Sequence, residues 1–166
     1  MQPAEARRSP KPDAASPHPY LETVALLQRA HRRLHGAIDY ALASEGFNGV
    51  TAVQALMLHS IGNEELSPGE LQKFGHYLGV NVSYNIGKLV EAGFIEKRPS
   101  QDDRRSVRIR LADKGREVRD IVAAFYDRQA TMMERAADVG VPDIVAVNAT
   151  LRRLERFWVD QVAYRL

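Results

Sequence analysis

The residues best equipped for chemistry in this chain are arginines, and they are clustered. Between Lys97 and Arg110 lie six basic side chains (Lys97, Arg98, Arg104, Arg105, Arg108 and Arg110) against two acids, Asp102 and Asp103. A guanidinium is permanently charged and presents a planar fork of donors that suits phosphate. The whole chain carries a net charge of only +2, so the cluster is a local footprint, not a general bias. A second polar set, Ser83, Tyr84, Asn85 and Lys88, recurs at helical spacing just before it. Phosphate contact by the first set and base-edge contact by the second would together read duplex DNA.

Other chemistries find less support. The chain has no cysteine, which excludes disulfides, thiolate zinc sites, a cysteine nucleophile and a thiol redox switch. No phosphate-binding glycine loop, nucleophile elbow or paired-histidine metal motif is present, and Gly75 and Gly79 mark a helix end and a turn. His31 and His35 are four apart with Asp39 four further on, a spacing that can ligate metal. They read instead as polar helix residues, so neither metal nor cofactor is expected, and the chain is not expected to be an enzyme. No apolar run approaches the roughly 20 residues of a membrane span. With no apolar leader at the N-terminus either, a cytoplasmic location is expected.

The elements follow from local signals. Residues 1–18, with Pro3, Pro10, Pro12 and Pro17, are too poor in apolar groups to offset ordering and read as a disordered tail. A first helix is expected from Tyr20 to about Ser44, with Leu21, Val24, Leu27, Leu34, Ile38 and Leu42 at helical spacing. Thr51 caps a second, Ala52 to Ile61, closed by Gly62. Ser67-Pro68-Gly69-Glu70 is a start signal for a third, running to about Tyr77: cap, first-turn proline and capping-box glutamate. The fourth, Val82 to Ala92, places Val82, Ile86, Leu89 and Val90 on one face and the polar set on the other. A strand from Phe94 to Arg98, a polar tip from Pro99 to Arg105 and a strand from Ser106 to Leu111 form a hairpin. A long helix from Asp113 to Val139 follows, carrying Val118, Val122 and Phe125. Gly140-Val141-Pro142 ends it, and Asp143 caps a last helix.

A helix-turn-helix followed by a basic hairpin is a winged helix, so the expected class is mainly α with a small β-hairpin wing. The winged helix spans 51–111, and residues 19–50 and 112–166 supply a helical dimerisation bundle. The stripes through Leu21 and Val24, and through Leu151, Leu154, Trp158 and Val162, exceed what the small lobe can cover. A second copy under two-fold symmetry would bury them. The competing reading is a winged helix used for protein interaction without sequence-specific DNA binding; the wing arginines argue against it.

From Asp103 to Gly115, DRRSVRIRLADKG, and in the order of its helices, the chain resembles the MarR family of transcriptional regulators over about residues 20–164. That resemblance implies a homodimer on pseudo-palindromic double-stranded DNA, acting as a repressor and released by a small aromatic or phenolic effector. It places the wing-tip arginine at Arg105 with Asp103 orienting it, phosphate contacts at Arg98 and Arg104, and Arg108 among the DNA-binding residues. Ser83, Tyr84, Asn85 and Lys88 match the outward part of the recognition helix. The effector would lie among Phe47, Thr51, Gln54, Ala55, Leu58 and Phe125. The wording Val82-Ser83-Tyr84-Asn85 with Lys88-Leu89-Val90 is also similar to a branch that regulates cell-wall L,D-transpeptidase genes.

Overall fold

The computed structural model describes residues 18–74, 81–99 and 107–164. The expected tail, save His18, and the wing tip, with Asp103, Arg104 and Arg105, lie outside them. The elements are α1 (Pro19–Ser44), α2 (Ala52–Ile61), α3 (Pro68–Phe74), α4 (Val82–Glu91), β1 (Ile95–Pro99), β2 (Val107–Leu111), α5 (Asp113–Ala137) and α6 (Val141–Tyr164). It is a mainly helical winged helix-turn-helix with one two-stranded antiparallel hairpin.

Local capping explains why these helices begin where they do. Thr51 and Gln54 form a reciprocal capping box at α2. Ser67 Oγ accepts the Glu70 N–H at 3.2 Å, and Glu70 Oε2 accepts the Ser67 N–H at 2.7 Å, closing the same device at α3. Asn81 caps α4 by accepting the Tyr84 N–H at 2.9 Å. The α2 start has an additional acceptor from far along the chain. Asp39 of α1 takes the Ala52 N–H at 2.6 Å, locking α1 to α2.

Several boundaries differ from expectation, α4 ending at Glu91 and β1 starting at Ile95 by a single residue each. Pro99 belongs to β1 and not to the tip; at the end of an edge strand its missing N–H costs little. The long helix stops at Ala137, because Asp138 adopts the left-handed conformation at φ 52°. Asp143 is not a cap but the third residue of α6, where its carboxylate accepts the Gly140 N–H at 2.9 Å. Pro142, read as a terminator, instead sits in the first turn, where proline is equally at home. The expected end of the third helix, near Tyr77, lies outside the described residues.

The core gathers Ile38 and Leu42 of α1, Met57, Leu58 and Ile61 of α2, Leu71, Ile86 and Leu89, Phe94, Ile109, and Val118, Val122 and Phe125 of α5. It therefore draws on both sides of the boundaries at 51 and 111. Isolated bridging between Leu66 and Ile109 adds a short third edge to the hairpin, with N–H to O distances of 3.0 and 2.7 Å. The root of α5 is pressed against the turn that leaves α4. The Phe94 carbonyl accepts the Ala112 N–H at 3.0 Å, and a methyl on Gly115 would lie 2.1 Å from that carbonyl oxygen. By contrast Gly87, in the middle of α4, has open space where its side chain would be.

Two alanine substitutions should therefore move stability in opposite directions. Gly115→Ala is expected to cost about 1–3 kcal/mol by overpacking. Gly87→Ala should add about 0.5–1 kcal/mol, because glycine is a poor helix former. Urea unfolding of the two variants checks the pair, and shifts of the same sign would contradict this packing.

Candidate nucleic-acid interface

The front of α4 is built by its back. Val82, Ile86 and Leu89 are buried, which turns Ser83, Tyr84 and Lys88 outward on the opposite side. Asn85 lies half-buried between the two faces. Tyr84 is 60% exposed, an unusual position for a large ring with no core role. Lys88 pairs with Glu91 at 2.8 Å and lies 6.0 Å from the Tyr84 ring centre. That pairing raises the lysine's affinity for its proton, so the ammonium is charged at neutral pH. The four residues expected at the bases thus share one helix, with Ser83, Tyr84 and Lys88 presented together.

Register fixes the charge pattern of the wing. Glu96 faces Arg110 and Arg98 faces Arg108, so one side of the ribbon carries all four. Ile95, Ile109 and Leu111 on the other side enter the core. Arginines directly opposite one another repel, and carboxylates offset this. Glu96 Oε2 accepts two hydrogen bonds from Arg110, at 2.7 and 2.9 Å, and a longer one from Arg98 at 3.3 Å. Glu70 Oε2 accepts from Arg108 Nη1 at 2.7 Å. The Arg110 hydrogen bond holds the Glu96 carboxyl below its ordinary range, and the two Ser67 hydrogen bonds, assisted by Arg108, do the same for Glu70. Sequence reading found Glu70 only as a cap, and it missed Glu96 and Leu66. Alternation along β1 and β2 could have found Glu96; nothing local announces the reach of Glu70 to a residue 38 positions later.

The residues expected around an effector divide between the core and the surface. Ala55 and Leu58 are fully buried and Phe125 nearly so, all within the core. Phe47 packs near Phe94 at 6.3 Å between ring centres. Gln54 borders a cleft of about 320 Å³ shared with Gly49, Lys88, Leu89, Glu91, Ala92 and Phe94. Thr51 is occupied as a cap. The His31 and His35 rings lie 4.1 Å apart at a tilt of 53°, while Asp39 is engaged with Ala52.

Among the described residues, α6 buries no side chain completely. Together with the N-terminal half of α1 it forms an open groove of about 540 Å³, lined by residues including Leu26, Leu27, Val147, Leu151 and Leu154. Trp158 Nε1 donates to the Tyr20 hydroxyl at 3.1 Å across its end. Leu21 and Val162 are 59% and 83% exposed in the single chain, Trp158 is 36% exposed, and Val24 is half-buried. Among the described residues no helix is long and apolar enough to cross a membrane.

A model of the MarR family matches residues 48–106. The chain is 37% identical over 148 residues to the exopolysaccharide II synthesis transcriptional activator ExpG of Rhizobium meliloti (strain 1021), covering 87% of this chain and 74% of that one. Its fold is similar to FabT of Streptococcus pneumoniae, solved in complex with DNA, at 21% identity and a TM-score of 0.67 over 85% of this chain and 98% of that chain. It is also similar to BpsR of Bordetella bronchiseptica, a structure concerned with regulation of DNA binding by 6-hydroxynicotinic acid. There identity is 19% and the TM-score 0.63, over 81% of this chain and 98% of that chain.

The carboxylates of the wing give a direct check on the charge pattern. Their pKa values are depressed in the folded state, so their contribution to stability is present at neutral pH and lost as pH falls through the folded values. Carboxyl NMR titration should place Glu70 and Glu96 below the ordinary glutamate value of about 4.3. A Glu96 midpoint at or above that value would mean that Arg110 is not where the wing places it, and the same result for Glu70 would mean that the Ser67 cap does not close as described.

Proposed function

Because the chain belongs to the MarR family of transcriptional regulators, we propose that it acts as a homodimer on pseudo-palindromic operator DNA. Each α4 enters a major groove, the two half-sites about one helical turn, roughly 34 Å, apart. The observation that carries this is the face of α4: a buried apolar back fixes Ser83, Tyr84 and Lys88 outward, next to a basic ribbon. Arg98 contacts phosphate beside the wing, and Arg105, oriented by Asp103, enters the minor groove, where negative potential is focused. The bare groove between α1 and α6 supports the dimer, since a second copy would cover Leu21, Val24, Leu151, Leu154, Trp158 and Val162.

A small aromatic effector that releases the DNA is the second part of the reading. The BpsR structure, which concerns 6-hydroxynicotinic acid, supports a ligand of this class. Ala55, Leu58 and Phe125 are closed within the core, so such a molecule would enter at the edge, beside Phe47, Thr51 and Gln54. Repression is the expected sign, but the name of the 37% identical relative, an activator, favours activation as a second reading. The α4 wording supports L,D-transpeptidase genes as targets, whereas that relative is named for exopolysaccharide synthesis. Sequencing genomic fragments retained by the protein decides among targets, and operator position relative to the promoter decides the sign.

Gel-shift titration of those fragments, with size-exclusion chromatography, tests the whole. A dimer that shifts duplex DNA is expected; a monomer indifferent to duplexes at low salt would overturn the proposal. Arg105→Ala should weaken binding about tenfold or more, and Lys88→Ala should reduce the salt slope by about 1.

A further inference from the structure

Besides the shared core and the packing of α4 on β1, two adjacent contacts join the second wing strand to the start of α3, and one of them is an ion pair. The first is the Leu66–Ile109 bridge, which brings the chain just before α3 alongside β2. The second is Glu70, whose single Oε2 accepts both the Ser67 N–H at 2.7 Å and Arg108 Nη1 at 2.7 Å. One oxygen therefore belongs at once to the cap of α3 and to the second wing strand. The recognition helix packs directly on β1, and α3, which packs against both α4 and β2, braces the wing from its second strand.

We propose that Glu70 is a positioning residue for DNA binding: it holds Arg108, and with it the wing, at a fixed angle to α4, so that Arg108 is a strut and not a phosphate contact. This rests on the DNA-binding reading above. Charge arithmetic on the ribbon points the same way. Arg98, Arg108 and Arg110 share a face, and two carboxylates, Glu96 and Glu70, are arranged against them. Glu96 makes its shorter contact with Arg110 and Glu70 takes Arg108, which leaves Arg98, whose carboxylate contact among the described residues is the longer one at 3.3 Å, as the arginine best placed to reach outward. A ribbon meant to offer all its charge to phosphate would not place a glutamate from another helix beside the arginine nearest that helix.

The two roles predict opposite signs for one substitution. Glu70→Gln removes a negative charge beside the DNA surface and frees Arg108, so electrostatics alone predicts tighter binding. Glutamine still serves as a capping-box residue, so α3 keeps its start. A strut predicts weaker binding. The test uses the full-length protein and, as probe, a duplex that the unmodified protein selects from a random-sequence pool. Glu70→Gln and Arg108→Gln should each weaken binding about threefold or more, within reach of a half-exposed ion pair. The double variant should bind no more weakly than Arg108→Gln, as coupled residues require. Neither single variant should change the salt slope, whereas loss of a phosphate contact lowers it by about 1. Tighter or unchanged binding by Glu70→Gln, additive losses in the double variant, or a reduced slope for Arg108→Gln would each overturn the proposal. If the unmodified protein selects no duplex at all, the DNA-binding reading fails instead.

Discussion

The lobe depends on the stitch at Leu66. Two backbone hydrogen bonds to Ile109 convert an otherwise isolated hairpin into the edge of a three-part structure. An isolated two-stranded ribbon is marginal in water. Here Ile95, Ile109 and Leu111 reach the same core as Leu71, Ile86 and Leu89, and the bridge sets their depth. Every later step, from the orientation of the arginines to the angle of α4, inherits that depth. A slip of one residue would turn Ile109 outward and bury Arg108 or Arg110 in its place.

Above the stitch, the protein handles an excess of like charge. Arginines facing each other across a ribbon destabilise it, yet a surface that meets DNA needs them. The chain divides the task between carboxylates from two sources, one on β1 itself and one from α3. What is left outward is a small positive surplus beside the exposed front of α4, in a molecule whose total charge is close to neutral.

Much of this architecture was legible in the sequence because it is encoded locally. Thr51 with Gln54 and Ser67 with Glu70 are spaced as capping boxes, and both close as such. The back of α4 follows the helical period, and Val82, Ile86 and Leu89 are buried accordingly. Misreadings arose where one residue type serves two opposite signals. Proline both stops a helix and starts one, so Pro142 was placed at an end when it belongs to a beginning. What stayed hidden is non-local: the Leu66 bridge is a single residue with no periodicity, and Asp39 reaches Ala52 thirteen positions away. Apolar residues around α2 announce a core and a ligand cleft in the same letters, and burial alone separates Ala55 and Leu58 from Gln54.

Gly115 has a mechanical consequence. With a backbone carbonyl seated where its side chain would be, the start of α5 is a fixed shoulder and cannot act as a hinge. The helix stays clamped by Val118, Val122 and Phe125, and beyond Phe125 it buries no side chain completely. Bending is therefore easiest in that outer stretch. A push delivered on the bundle side of the bend would be absorbed there, while one delivered nearer the lobe would swing wing and recognition helix together as a single lever.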